Sequence, residues 1–493
     1  MTDPFKHAPQ ASAPETSDRN RWLALLVLCT GMLMIVLDAT IVNVALPAIQ
    51  TDLDFSQAGL AWVVNAYLIA FGGLLLLAGR MGDLVGGKRV FLTGLTVFTI
   101  ASLLCGLATE QWMLIGARFL QGAGGALTSA VSLGMIFTMF TEPGERARAL
   151  GIFSFVASGG ASIGVFAGGV LTETLSWHWI FFVNIPIGIA IVIPALRVLN
   201  PSRGLGLRTG ADIPGAILVT AALMLGVYTI VKAADNGWGS TRTLSLGALS
   251  IILLGLFITR QAMARTPLLP LRLFRSRVLS AANLTMFFMV APMFGFQFFV
   301  ALYLQNVLGF SEFETGAGFL PITVMIGAFS LSFAGRLAAR FGAYPVIVAG
   351  LVMVVVGNLL FVRIPVGGSF VVDVLPSMII MGAGLGVVFP NIAGLAMASA
   401  RPEDSGAASG LLNTVQQVGG ALGLASLASL AATHTTDLTE KGRGTGEALV
   451  GGFHLAFAIS TGLAATGLLV ALLALRGTST TEPATEEQKV LVH

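Results

Sequence analysis

The 493-residue chain is 55% hydrophobic and only 10% charged, whereas soluble domains carry about 25% charged residues, and its mean hydropathy is +0.87. These figures exclude an ordinary soluble domain and indicate a polytopic helical membrane protein, a class rich in glycine, of which this chain has sixty. The net charge of +3 does not argue for nucleic acid, because the basic residues sit in short segments between apolar runs, and Cys29 and Cys105 lie inside such runs and imply neither disulfides nor a metal site.

Residues 1–20 are polar and read as a disordered cytoplasmic tail. The apolar run behind them is too long for the core of a signal peptide. A spanning helix needs about 20 apolar residues. Fourteen runs meet that length approximately: 22–46, 60–79, 90–107, 112–138, 148–171, 179–199, 213–232, 243–262, 279–305, 316–337, 343–362, 371–398, 407–431 and 450–475. With the N-terminal tail cytoplasmic, 21 Lys and Arg fall on the cytoplasmic side. Five, Lys232, Arg242, Arg363, Lys441 and Arg443, fall on the other. That positive-inside bias places both termini in the cytoplasm and requires an even helix count.

Two internal matches divide the chain. GRMGDLVGGKRV, from Gly79, is matched by GRLAARFGAYPV, from Gly335, at an offset of 256. RALGIFSFVASGGASIG, ending at Gly164, is matched by AASGLLNTVQQVGGALG, ending at Gly423, at an offset of 259. Both join the cytoplasmic end of one helix to the cytoplasmic start of another, so the halves share an orientation. Parallel repeats with a substrate site between them are a transporter design. The expected fold is all-α. It comprises an N-terminal six-helix bundle (21–199), a two-helix insert (200–264), a C-terminal six-helix bundle (265–476) and a polar cytoplasmic tail (477–493).

Few residues inside the runs carry chemistry. LDATIVNVALP, Leu37 to Pro47, holds Asp38, the single ionisable residue of the run 22–46. A carboxylate at membrane depth is costly unless paired, hydrated or protonated, and such residues commonly mark ion pathways. A purely structural role, bonding a neighbouring helix, is the alternative. LIGARFLQGAGGA, Leu114 to Ala126, places Arg118 inside a helix, about 9 Å below its outer end. Asp38 lies about 12 Å below the outer end of its own helix. The depths allow a pair, direct or through water. Burial and a nearby cation pull a carboxyl's proton affinity in opposite directions, so such a group can exchange a proton. Thr40 and Asn43 add polar groups to the first helix, and interhelical hydrogen bonds explain them. In the loop after the second run, Gly79 and Gly86 suit a tight turn. Asp83 can face a helix N-terminus, and Lys88 and Arg89 can reach Glu142 or Glu145. GASIGVFAGG, Gly160 to Gly169, sets Gly160, Gly164 and Gly168 on one face beside Gly169, a surface for close helix packing.

Together these motifs resemble the major facilitator superfamily, and within it the fourteen-helix drug:proton antiporters, over residues 21 to 476. The resemblance implies proton handling at Asp38, proton transfer linked to Arg118, and gating by the loop of Gly79, Asp83, Gly86, Lys88 and Arg89. It implies an antiporter-type fifth helix at Gly160 to Gly169, with Val165 where that family usually has proline. WHWIFFVNIPIG, Trp177 to Gly188, resembles the same branch, with His178 where arginine is common. His178 reads as an interfacial anchor.

At an offset of 256 the counterpart of Asp38 is Phe294, and at an offset of about 260 that of Arg118 is Met378, so coupling chemistry is expected only in the first half. The second half offers aromatic and amide side chains. Phe294, Phe298, Tyr303, Asn391, Asn413 and Gln417, with Asn43, are the candidate substrate cavity. Such a lining suits large hydrophobic ligands, and aromatic faces favour cations. No phosphate loop of the GxxxxGK[ST] type is present, so ATP is not the expected energy source. No cofactor and no catalytic constellation are expected. The expected function is proton-driven export of small hydrophobic or cationic compounds by a monomer in a bacterial-type plasma membrane. Uptake by symport and a non-transporting receptor on the same fold are the alternatives.

Overall fold

The computed structural model describes residues 18–140, 142–199, 204, 206, 212–399 and 405–476. Both predicted tails (as far as residues 1–17 and 477–493) and five basic residues of the charge count, Lys6, Arg203, Arg208, Arg401 and Lys489, lie outside them. Among the described residues there are helices and no strands. The first six helices are α1 (Asp18–Asp52), α2 (Gln57–Val85), α3 (Gly87–Gly106), α4 (Gln111–Met139), α5 (Pro143–Thr174) and α6 (Trp179–Val198, broken at Val183). Next come α7 (Ile213–Asn236) and α8 (Thr241–Met263). The last six are α9 (Arg277–Asn306), α10 (Glu312–Phe341), α11 (Ala343–Phe361), α12 (Phe370–Ala398), α13 (Ser405–Glu440) and α14 (Thr445–Ala474). Thirteen are long and apolar enough to cross a membrane, and the 32-residue α5 contributes a further apolar stretch at Ile163–Thr174. Each predicted run falls on one of these helices. Several helices outrun their apolar stretch, as α13 does through Thr435 to Glu440, because backbone hydrogen bonding continues into polar sequence once the helix is nucleated.

Local signals set the helix ends. Ser56, Ser240 and Ser276 cap α2, α8 and α9 through their side chains, and Ser311 with Glu314 forms a capping box on α10. The α2–α3 turn needs glycine because Gly86 has φ +104°. The α10–α11 turn is built the same way on Gly342, at φ +86°. These two glycines are 256 residues apart, the repeat offset, so the duplication is visible in backbone geometry.

In the first half α4 packs on α2 and α3, and α5 on α1; in the second, α12 packs on α11, and α9 on α13 and α14. The halves meet where α2 lies on α13, α5 on α10 and α1 on α9. Helix α7 fills the groove beside α2 and α13, and α8 packs mainly on α7. The outer face of α8 is apolar and exposed at Leu244, Ile251, Ile252 and Leu256, which suits contact with lipid. The base of the insert is pinned by buried Asp212. It accepts hydrogen bonds from Arg260 Nε (2.9 Å), Gln261 Nε2 (2.6 Å) and the Gly215 N–H (3.1 Å). Burial pulls its proton affinity up, but these donors outweigh it and hold the carboxyl below its ordinary range.

The small face of α5 packs closely on α1. A Cβ at Gly160 would meet Leu33, one at Gly164 would meet Leu37 and Thr40, and one at Gly168 would meet the Ile41 carbonyl. All four partners are on α1. Gly169 instead backs onto Glu312 and Phe313 of α10, in the other half. Overpacking such a contact costs about 1–3 kcal/mol. Gly164→Val is therefore expected to lower the thermal midpoint of the detergent-solubilised protein by several degrees. Gly116→Ala, at an exposed helical glycine with open space around it, is expected to leave it unchanged. Equal midpoints for the two variants would refute this account of the α1–α5 contact.

Candidate functional site: a buried ion pair and a central cavity

Asp38 and Arg118 form a direct pair, Arg118 Nη1 to Asp38 Oδ2 at 2.6 Å, and both residues have no solvent exposure. An isolated buried charge is prohibitive, and a pair persists only when its remaining donors and acceptors are met. Four helices supply partners here. From α4, Gln121 Nε2 donates to Asp38 Oδ1 at 2.7 Å, while its Oε1 accepts from Arg118 Nη1 at 2.7 Å. From α6, Asn184 Nδ2 donates to Asp38 Oδ1 at 2.9 Å. From α3, Ser102 Oγ accepts from Gln121 (2.6 Å) and Asn184 (3.0 Å). From α2, the Val63 carbonyl accepts from Arg118 Nε at 2.9 Å, and the Tyr67 ring lies 4.4 Å from the guanidinium carbon. The carboxylate thus receives three N–H donors and a full counter-charge, an arrangement suited to its ionised form.

Gln121 and Asn184 were not singled out in the sequence, although both lie inside motifs quoted there. Gln121 is three residues past Arg118, on the same helix face. Ser102 gives no sequence signal.

The cavity lies on the other side of α1. It has a volume of about 230 Å³, between the two halves. Ala39, Thr40 and Asn43 of α1 and Val165 of α5 line it from the first half. Met293, Phe294 and Gln297 of α9, Phe319 and Thr323 of α10 and Phe389 of α12 are among its lining from the second. At 100° per residue, Asp38 projects roughly opposite the centre of the Ala39, Thr40 and Asn43 face. Acid and cavity are therefore separate sites. Toward the face opposite the termini the halves are joined above this cavity. Glu173 Oε2 accepts from the Phe313 N–H (2.7 Å), Gln305 Nε2 donates to the Val44 carbonyl (2.9 Å), and the Phe166 and Phe313 rings meet at 5.6 Å. Asn43 Nδ2 reaches Gln297 Oε1 across the seam at 3.4 Å, beyond the usual range and easily exchanged.

Of the candidate cavity residues, Asn43 and Phe294 line this space. Phe298 and Tyr303 are wholly buried in the second bundle instead, Phe298 against Phe299 and Tyr303 with its hydroxyl on the Pro365 carbonyl (2.8 Å). Tyr303 thus faces the α11–α12 connection. Asn391 and Asn413 turn back on their own helices, bonding the Val387 and Ser409 carbonyls, and Gln417 packs on Gly72 of α2. Gln297 and Thr323 are lining residues the sequence did not reveal.

The loop motif is also rearranged. Lys88 Nζ donates to the Leu196 and Leu199 carbonyls (2.7 and 2.6 Å) at the C-terminal end of α6, where a cation is favoured by the helix dipole. Glu145 pairs with Arg21 at 3.3 Å, so neither basic loop residue takes it. Asp83 is exposed beside Arg80 (3.8 Å) rather than on a facing helix N-terminus, and Arg89 is exposed. Gly79 has open space around it. His178 stacks on Trp177 at 3.8 Å, and burial lowers its proton affinity. Trp177 Nε1 bonds Asp52 at 2.9 Å.

Apolar helices in two bundles, closed on a cavity at their seam, define an integral membrane transporter and not an enzyme. The chain belongs to the Major Facilitator Superfamily, whose family model matches residues 28–424. It is 36% identical over 471 residues to the puromycin resistance protein pur8 of Streptomyces alboniger, covering 94% of this chain and 93% of that one. It is 38% identical over 443 residues to the cephamycin export protein CmcT of Amycolatopsis lactamdurans, covering 89% and 91%. Its fold matches a bacterial homologue of the human lysosomal transporter Spinster, solved in an inward-facing and occupied conformation. The TM-score there is 0.66 at 16% identity, covering 94% of this chain and 98% of that one.

Removing one member of a buried ion pair costs about 3–5 kcal/mol, because the other is left uncompensated. Arg118→Met is expected to destabilise the protein by that order, and Asp38→Asn with Arg118→Met to recover most of the loss. Thermal unfolding in detergent reads both, and a double variant no more stable than Arg118→Met would count against the pair.

Proposed function

We propose that this protein is a drug:proton antiporter, exporting small hydrophobic compounds by alternating access. The observation that carries the reading is the Asp38–Arg118 junction. It is a protonatable acid at membrane depth, held by exchangeable hydrogen bonds, on the helix that also lines the cavity. Names such as puromycin resistance protein and cephamycin export protein, borne by its relatives, support outward movement of toxic small molecules. The 21-to-5 distribution of basic residues supports cytoplasmic termini in a bacterial-type plasma membrane.

Protonation of Asp38 removes the charge that holds Arg118 and turns an acceptor into a donor facing three N–H groups. The junction then releases α1 from α4 and α6. Because α1 carries Thr40 and Asn43 into the cavity and is seated on the α5 glycines, its release changes the cavity wall. Cargo and proton compete through the position of α1 rather than for one space. The outward leg of the cycle breaks the contacts of Glu173, Gln305 and Asn43 with the second half. The loop of Gly79, Asp83, Gly86, Lys88 and Arg89 gates the opposite side. No cofactor takes part, and the monomer is the working unit.

Asp38→Asn keeps the size of the side chain and removes its titration. It is expected to abolish export driven by a pH gradient in proteoliposomes and, because Arg118 loses its counter-charge, to lower the thermal midpoint while the protein still folds. Undiminished export by the folded variant would remove Asp38 from the coupling.

A further inference from the structure

We infer that the cargo crosses as an uncharged molecule, so that each turnover moves net positive charge inward; this rests on the proton-exchange reading above. Among the described residues, the lining of the central cavity contains no Asp, Glu, Lys, Arg or His. Its polar groups are the hydroxyls of Thr40 and Thr323 and the amides of Asn43 and Gln297, and the rest is aliphatic, thioether or aromatic. Both hydroxyls already donate to their own helices, Thr40 to the Val36 carbonyl (3.0 Å) and Thr323 to the Phe319 carbonyl (2.8 Å). They face cargo as acceptors, beside amides that can both donate and accept.

A permanent cation entering such a space sheds its water and meets no counter-charge. That penalty is large in a low-dielectric interior, and a few aromatic faces offset only part of it. Asp38 does not supply the missing charge. It is wholly buried on the other side of α1, already matched by Arg118, with Gln121 and Asn184 on its remaining acceptor positions. Glu173, Glu312 and Glu314 lie at helix ends, away from the lining. The hydrogen-bonding amides and the apolar walls instead match a neutral aromatic compound with a few polar substituents. Basic compounds are carried in their unprotonated form.

The consequence is electrical. A neutral molecule leaving in exchange for any number of protons shifts charge by that number. A monovalent cation leaving for one proton would shift none. The test uses purified protein in proteoliposomes with chloramphenicol as the neutral probe and tetraphenylphosphonium as the cationic one. Chloramphenicol flux is expected under an imposed pH difference and also under a potassium–valinomycin potential alone. Tetraphenylphosphonium flux under the pH difference is expected to equal that of protein-free vesicles. Gln297→Glu, which places one carboxylate in the cavity, is expected to bring tetraphenylphosphonium flux above that of protein-free vesicles. Chloramphenicol flux that responds to pH but not to potential, or wild-type flux of tetraphenylphosphonium matching it, would overturn the inference and leave proton exchange standing. If the pH difference drives neither probe, the antiport reading itself falls, and this one with it.

Discussion

One carboxylate, wholly buried beside one guanidinium, ties the helices of the first bundle together. Two charges at zero exposure are tolerable only if every lone pair and N–H has a partner. Asp38 draws α4 in through Arg118 and Gln121, and α6 through Asn184. Gln121 and Asn184 both bind Ser102 and so fix α3, and Arg118 reaches back to the Val63 carbonyl on α2. Relative rotation of any of these helices would strand a buried polar atom. The cost falls on each displaced group separately, so the junction specifies a register as well as holding helices together.

The second bundle solves the same packing problem without charge. At an offset of 256 Asp38 becomes Phe294 and Ser102 becomes Asn358, and at an offset of about 260 Arg118 becomes Met378 and Gln121 becomes Met381. Asn358 keeps a trace of the polar arrangement, with its amide on the Val354 carbonyl and near the Met381 sulfur. Around it Phe296, Phe361 and Phe457 interlock edge to face and stacked. Apolar contacts of this kind are insensitive to protonation, whereas the first bundle's junction depends on it. The duplicated scaffold is thus symmetric in backbone, down to the matched turns at Gly86 and Gly342, and asymmetric in chemistry.

Hydropathy made the helices legible, and the offset of 256 made the duplication legible, because both are properties of the linear chain. The depth of Asp38 and Arg118 followed from residue counting along each helix. What counting does not give is which neighbour each helix face meets. Phe294, Phe298 and Tyr303 share α9 and read alike in sequence, yet only Phe294 points to the seam while the others fill the bundle. Lys88 found no acidic partner in the loop after α4, because the carbonyls ending α6 lie within its reach. Gln297 carries no motif. Its placement depends on Asn43, 254 residues away, and no local pattern encodes that distance.

The separation of acid from cavity bears on how proton and cargo could communicate. Asp38 and Asn43 are five residues apart on α1, about 7.5 Å along its axis, and point to different sides. A coupling free energy needs an element with two positions that each site biases differently. Helix α1 meets that requirement. One side is held by an ion pair that exists only when Asp38 is ionised, and the other forms the cavity wall. The glycines of α5 let backbone meet backbone, so α1 and α5 move as one body, and the far side of α5 presents Gly169 and Val165 to α10. A proline in place of Val165 would bend α5 at that seam. Its absence leaves α5 an uninterrupted 32-residue helix between the α1 contact and the opposite half. On the proposed cycle, a change at Asp38 is therefore transmitted by displacement of rigid helices, and the cargo site stays free of charge because the proton never enters it.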